Sequence, residues 1–231
     1  HYGSNTVAEH AFGLLLALSK RIPEAARRTH DEFSSDGLTG FELAGKKIGV
    51  IGTGEIGQEF IEMARGFDME VVAYDPYKED ELEEELGFMY VSLEDLIDHS
   101  DIISLHCPLT DSNQHMLGEE EFQRMDGTVI VNTARGGLID SEALLDALDD
   151  NRVKSAGLDV LEMEDEMRSE DNIDAETEFC DREMKINCQL IEREDTIVTP
   201  HSAFNTHEAK QRILDTTLDN IKHRPEENRV V

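Results

Sequence analysis

Basic residues are scarce in this chain. Against 52 Asp and Glu there are 21 Lys and Arg, a formal charge of −31 with a pI near 4.4. Nucleic acids and anionic membranes are bound by clustered cations that displace counterions, so neither is expected as a partner. Cysteine is scarce too. Cys107, Cys180 and Cys188 are too few, and odd in number, for a disulfide framework, which points to a reducing, cytoplasmic setting. Long apolar runs are missing: the longest, Ala11 to Leu18, is far short of the roughly 20 residues of a membrane-spanning helix. No secretory leader pattern opens the chain. The acid excess does not imply disorder, because 39% of residues are hydrophobic and fall in recurring runs. The length of 231 residues suits one large or two small domains. The chain begins at His1 rather than Met and enters a helical pattern at once, so we read it as a fragment or a processed chain.

From Lys46 onward, strand-like and helix-like segments alternate. Lys47 to Ile51 is a short apolar run, Glu55 to Phe67 has helical periodicity, and Glu70 to Tyr74 again reads as a strand. Further strands are expected at Asp101 to Leu105, Thr128 to Asn132, Val153 to Val160 and Thr196 to Val198. Helices are expected between them at Ser92 to His99, Glu119 to Met125 and Ser141 to Asp150. Strands too apolar to have a wet face, each followed by a helix, imply a doubly wound α/β fold with a parallel sheet. In front, Asn5 to Lys20 is helical, with Pro23 ending or kinking it; behind, Thr206 to Ile221 makes a closing helix. The acidic stretch between Glu162 and Glu194 shows no clear period and fits a loop insertion or a short helical excursion equally well.

Ile48 to Gly57 reads IGVIGTGEIG, placing Gly52, Gly54 and Gly57 in a GxGxxG pattern between a predicted strand and a predicted helix. Gly52 permits the tight turn, Gly54 lets a pyrophosphate approach the backbone, and Gly57 lets the helix pack closely on the sheet. The helix N-terminus then offers N–H groups and positive dipole character to the anion. The next strand ends at Asp75, in the position of the acid that binds the adenosine ribose, and its charge would repel a 2′-phosphate; this favours NAD over NADP. The plain alternative is an ordinary βαβ turn with a surface Asp.

Three further blocks, DIISLHCPLTDSNQHML from Asp101, VNTARGGLID from Val131 and TPHSAF from Thr199, join GLDVLEME from Gly157. With the glycine turn they resemble the D-isomer-specific 2-hydroxyacid dehydrogenases, most of all the D-lactate dehydrogenase branch. The resemblance runs from Val7-Ala8-Glu9-His10 to Asn228-Arg229-Val230. It implies a Rossmann-type NAD-binding domain over residues 34–200, a linking helix region over 1–33, and a segment, 201–231, returning to a second, substrate-binding domain. Only a remnant of that second domain is expected here, because the family's front portion of roughly one hundred residues is not in this sequence.

Reducing a 2-keto acid requires a cation for the carboxylate and a proton donor for the carbonyl oxygen. Arg135 suits the first role through two parallel hydrogen bonds; as an isolated residue it could equally be a surface arginine in a turn. His201 suits the second, since an imidazole titrates near neutrality. The resemblance singles it out among nine histidines and implies Glu164 as its carboxylate partner, although Glu162, Asp165 and Glu166 are close by. It further implies a cofactor shell of Glu55, Ile56, Cys107, Pro108, Asn113, Thr133, Ala134, Arg135 and Asp159, the last near the nicotinamide carboxamide. Tyr2 and Phe204 match aromatic positions bordering the substrate. No metal is expected. Glu55 departs from the family, where His or Arg is frequent beside the pyrophosphate.

The expected activity is NAD-dependent interconversion of a 2-keto acid and a D-2-hydroxy acid, pyruvate and D-lactate being favoured. This chain alone is expected to bind NAD and turn over poorly. Hydroxypyruvate or glyoxylate reduction and a non-catalytic NAD-binding module are the alternatives. A homodimer is expected if the apolar helix Val7 to Leu18 needs a partner surface; packing of the same stripe on the sheet is the rival. The acid-rich surface, as in Glu79 to Glu85, resembles proteins of salt-accumulating archaea, which makes a halophilic, haloarchaeal enzyme the expectation.

Overall fold

A computed structural model describes residues 3–164 and 182–222. Tyr2 and residues 165–181 lie outside them. The strands are β1 (Lys47–Ile51), β2 (Glu70–Tyr74), β3 (Met89–Tyr90), β4 (Ile102–Leu105), β5 (Thr128–Asn132), β6 (Val153–Leu158) and β7 (Thr196–Val198). They form one parallel sheet in the order β3-β2-β1-β4-β5-β6-β7. The order reverses direction between β1 and β4, so a crevice opens beyond their carboxyl ends, where doubly wound sheets hold ligands.

Helices cover both faces. On one side lie α1 (Ser4–Lys20) and α3 (Glu55–Gly66), packed on Ile48, Val50, Ile102, Val129 and Val131. On the other lie α5 (Leu93–His99), α6 (Glu119–Gln123), α7 (Ser141–Asp149) and α8 (Arg182–Glu192), packed on Ile51, Ile103, Leu105 and Ile130. Neighbouring strand residues alternate between the two clusters, as the two-residue period of a strand demands. Because both faces are covered, β4 and β5 are buried at every position, which explains why they are largely apolar, with only Ser104, Thr128 and Asn132 polar.

α1 is built into this core through Ala8, Ala11, Phe12, Leu14, Leu15 and Leu18. A Cβ on Gly157 of β6 would meet Leu14 Cβ at 3.0 Å, so the glycine is what admits the helix so closely. Leu15 is fully buried, and truncating such a side chain to Ala costs about 2–5 kcal/mol. The stripe from Val7 to Leu18 is thus filled by the chain's own sheet and gives no argument for a homodimer. The helix stops at Arg21, whose φ of 51° is left-handed, and Pro23 lies in the first turn of α2 (Ile22–Arg28). Proline here starts a helix rather than ending one.

α2, the acidic α4 (Asp80–Leu86) and the two-residue β3 add to the elements read from the sequence. β3 is too short to show a period. α8 resolves the end of the acidic stretch as helix. Caps sharpen several boundaries: Ser92 Oγ accepts from Asp95 N at 3.0 Å, and Asp140 Oδ1 from Glu142 N and Ala143 N at 3.1 and 3.0 Å. Each cap contributes about 1 kcal/mol. After β7 the chain ends, among described residues, in α9 (His207–Lys222). No helix among the described residues is long and apolar enough to cross a membrane.

Candidate active site

The turn after β1 is shaped by two steric demands. Gly52 has φ +98°, and a Cβ there would lie 2.8 Å from Cys107 N; a Cβ on Gly57 would lie 2.1 Å from Gly52 O. Gly54, by contrast, meets nothing within 4 Å and stands exposed as the N-cap of α3 without a side-chain cap. Open space in front of uncapped helix N–H groups is the geometry that accepts a phosphate. Glu55, in the first turn of α3, is exposed, and Ile56 behind it borders two neighbouring clefts. Asp75, just after β2, accepts from Thr53 N and Oγ1 at 2.8 and 3.2 Å and from Tyr77 N at 2.8 Å. These take three of a carboxylate's roughly four acceptor positions.

Beyond the carboxyl ends of the sheet lies a cleft of about 310 Å³ lined by Val7, Ile56, His106, Cys107, Pro108, Thr133, Ala134, Arg135, Asp159, His201, Ala203 and Phe204. Most of the residues proposed from sequence therefore meet in one place. Cys107 is not a nucleophile there, because burial pushes its thiol up to about 11. Asn113 is not brought to this cleft. Its Nδ2 donates to Pro108 O at 2.9 Å and its Oδ1 accepts from Thr110 N at 2.7 Å, so it shapes the loop that carries Cys107 and Pro108.

Arg135 follows β5, exposed, on a turn held by Asn132. The Asn132 Nδ2 donates to Arg135 O at 2.9 Å and its Oδ1 accepts from Ala134 N at 3.0 Å. The Arg135 Nη1 donates to Ala134 O at 2.6 Å, leaving most of its donor fork open. His201 follows β7 with a left-handed φ of 50°. Its Nδ1 pairs with Glu164 Oε1, and Phe204 lies edge-on at 6.2 Å from its ring. The ionised carboxylate only accepts, so the neutral ring carries its proton on Nδ1 and presents Nε2 elsewhere. Glu164, rather than Glu162, is the partner.

Asp159 lines this cleft and also has a structural task. Its side chain has no exposed surface. Its Oδ1 accepts from Thr199 Oγ1 at 2.5 Å and Ser202 N at 2.9 Å, its Oδ2 from Ala203 N at 2.8 Å, and His10 Nε2 is 3.4 Å away. Burial alone would raise its pKa, but the hydrogen bonds from His10, Thr199, Ser202 and Ala203 outweigh it and hold the carboxyl below its usual range. Asp159 therefore fastens the segment that carries His201.

His106 and Asn132 were not among the sequence-derived candidates. His106 is half-buried, with its ring 4.7 Å from the Phe60 ring, and desolvation presses its pKa down to about 3, so it is neutral. Its position directly after an all-buried strand was the available signal. Its Nδ1 and Thr133 Oγ1 are buried with no hydrogen-bond partner among the described residues, and both side chains line the cleft. Orphaned polar atoms facing a cleft fit a ligand with its own polar groups.

Glycine turn, open helix N-terminus and an acid at the end of β2 on this sheet define a Rossmann dinucleotide-binding domain. Residues 12–203 match the family model described as "D-isomer specific 2-hydroxyacid dehydrogenase, NAD binding domain". The chain belongs to the D-isomer-specific 2-hydroxyacid dehydrogenase family and carries its NAD-binding domain. It is 43% identical over 224 residues to a D-lactate dehydrogenase of Escherichia coli, covering 96% of this chain and 66% of the relative. It is 42% identical over 222 residues to a 2-hydroxyacid dehydrogenase homolog of Haemophilus influenzae, covering 95% and 65%. The solved pyruvate reductase of Chlamydomonas reinhardtii superposes with a TM-score of 0.87 at 38% identity, covering 99% of this chain and 69% of that one. The chain thus spans about two thirds of the length of these relatives.

Proposed function

We propose that this protein interconverts a 2-keto acid and a D-2-hydroxy acid by hydride transfer with NAD, pyruvate and D-lactate being the favoured pair. The observation that carries the reading is the meeting of Arg135 and the His201–Glu164 pair on one cleft beside the glycine turn. Gly52, Gly54, Gly57 and Asp75 would hold the dinucleotide, which supplies the hydride when bound. Arg135 grips the substrate carboxylate through its open fork. His201, charged, donates the proton from Nε2 to the carbonyl oxygen as the carbon is reduced; in reverse, the neutral ring accepts it. Glu164 orients the ring from the other side. Phe204 closes the cleft beside His201, which suits a small apolar substituent such as methyl. The E. coli and Chlamydomonas relatives, named for D-lactate and pyruvate, support that choice.

The test is NADH oxidation with pyruvate, hydroxypyruvate and glyoxylate in parallel, alongside calorimetry of NADH binding to the same protein. Pyruvate is expected to be reduced fastest. Binding without oxidation of NADH by any keto acid would instead favour a non-catalytic NAD-binding module.

Salt adaptation belongs to the same proposal. A dinucleotide is an anion, and a chain of charge −31 repels it at low salt. Among the described residues lining the cleft, Arg135 is the only Lys or Arg. At about 1 M salt the Debye length falls to about 3 Å, so the ligand feels local amides and Arg135 rather than the whole surface. We place the enzyme in a salt-rich cytoplasm. Its melting temperature should rise with KCl; a flat or falling curve removes the idea. A homodimer would rest on some surface other than the filled stripe of α1, and size-exclusion chromatography reads it.

A further inference from the structure

Besides His201–Glu164, a second histidine–carboxylate pair lies at the same edge of the sheet. His115 Nε2 is 2.6 Å from Glu162 Oε1, and its Nδ1 is 3.7 Å from Asp140 Oδ2. The dehydrogenase reading gives this pair no task. His115 has a left-handed φ of 51°, a conformation that non-glycine residues seldom hold without a reason in their surroundings. Its contacts supply one.

Its backbone N–H donates to Gly137 O at 2.8 Å, on the turn that begins with Arg135. Leu117 N then donates to Leu138 O at 3.1 Å and Asp140 N to Leu117 O at 3.0 Å, so residues 115–117 run beside 137–140 as a short ladder. The ring of His115 lies between Asp140 of that ladder and Glu162, two residues before Glu164. Glu162 is itself gripped on several sides: Oε2 accepts from Ser141 N at 3.1 Å, and its backbone O from Asn187 Nδ2 at 2.7 Å. The two segments also touch backbone to backbone, since a Cβ on Gly136 would sit 2.2 Å from Leu161 C. One residue thus ties the Arg135 turn to the segment carrying Glu164.

We propose that His115, acting through Glu162, is a positioning residue that holds Glu164 in register with His201 and with Arg135. The proposal rests on the dehydrogenase reading for its catalytic consequence but not for its structural one. With the clasp closed, Glu164 stays on Nδ1 of His201 and the ring keeps a single tautomer with Nε2 toward the cleft. With the clasp open, Leu161 to Glu164 lose an anchor and the neutral ring distributes its proton over both nitrogens.

Two-bond proton–nitrogen spectra of the histidine-labelled protein, taken in high salt at a pH where the rings are neutral, report that tautomer directly; His201→Gln assigns the signal. His115→Leu removes the bond to Glu162, whereas His115→Gln returns a donor to the Nε2 position. We expect a single Nδ1–H tautomer in wild type and His115→Gln and a mixture in His115→Leu. Turnover of a keto acid should fall about 10- to 100-fold in His115→Leu, the effect of a displacement on the order of 1 Å, with NADH affinity kept and His115→Gln restoring most of the rate. Glu162→Asp, which keeps the charge but shortens the arm, provides the same reading if His115→Leu does not fold. A pure Nδ1–H tautomer in both His115→Leu and Glu162→Asp overturns the proposal. If no protein, wild type included, oxidises NADH with any keto acid, the dehydrogenase reading falls and the tautomer alone still decides the clasp.

Discussion

The two ends of the cleft are made in different ways. At the β1–β2 end, the proposed dinucleotide site is built from backbone: two glycines whose missing Cβ atoms make room, a helix N-terminus and one acid at a strand end, all between Gly52 and Asp75. At the β5–β7 end it is built from side chains delivered by three separate strand ends, Arg135, Glu164 and His201, and kept in place by Asn132, Asp159, Glu162 and His115. The first kind of site fails by steric exclusion and takes the fold with it. The second fails by misalignment and leaves the fold standing.

Substitutions at the two ends should separate along that line. The largest effect is expected at the side-chain end: His201→Gln and Arg135→Gln should each lower turnover by about 10²- to 10⁴-fold, with NADH affinity and melting temperature nearly unchanged. Equal loss of NADH binding in stopped-flow titrations would erase the distinction. At the backbone end, Gly57→Ala should destabilise the protein by about 3 kcal/mol or more, because its Cβ collides with Gly52 O. Urea unfolding measures it, and wild-type stability would refute the steric account. Gly54→Ala sets a finer test, since its Cβ meets nothing within 4 Å. Stability should drop by only about 0.5–1 kcal/mol, while NADH binding in calorimetry weakens about tenfold, or about 1.4 kcal/mol.

The last effect appears only below neutral pH and belongs to His106, which sits between the two ends. Its ordinary pKa of 6.5 is pressed to about 3 in the fold. Between those values the unfolded chain binds a proton that the folded chain refuses, so stability falls as pH falls, by about 1.4 kcal/mol per pH unit. Above pH 6.5 both states are neutral and the contribution is complete. His106→Gln should flatten this part of the stability profile, measured by denaturant unfolding across pH. An unchanged slope would mean that His106 does not remain neutral.

The same division explains what the sequence made legible. The sheet could be read because buried parallel strands are largely apolar runs, and the glycine turn because its steric rule is local. Edge strand β3 and helix α4 carry neither signal. At the other end, Arg135, His201 and Glu164 were picked out by block resemblance, Glu164 with close acidic neighbours whose side-chain directions residue type does not give. In three dimensions Glu164 and Glu162 each have their own histidine. Asp159 and Asn113 show why the motif alone says little about their surroundings: both were read as cofactor residues, and their side chains also bond the chain itself. Nothing in residue type distinguishes these cases, because a buried polar group needs a partner whether that partner is ligand or backbone.

The central claim is that Arg135 and the His201–Glu164 pair turn an NAD-binding domain into a keto-acid reductase. The most direct measurement is the rate of NADH oxidation by pyruvate at saturating NADH in high salt, compared between wild type and His201→Gln. The account predicts turnover in wild type and a loss of about 10²-fold or more in the variant, with the same NADH affinity in both. Equal rates in the two proteins would contradict it.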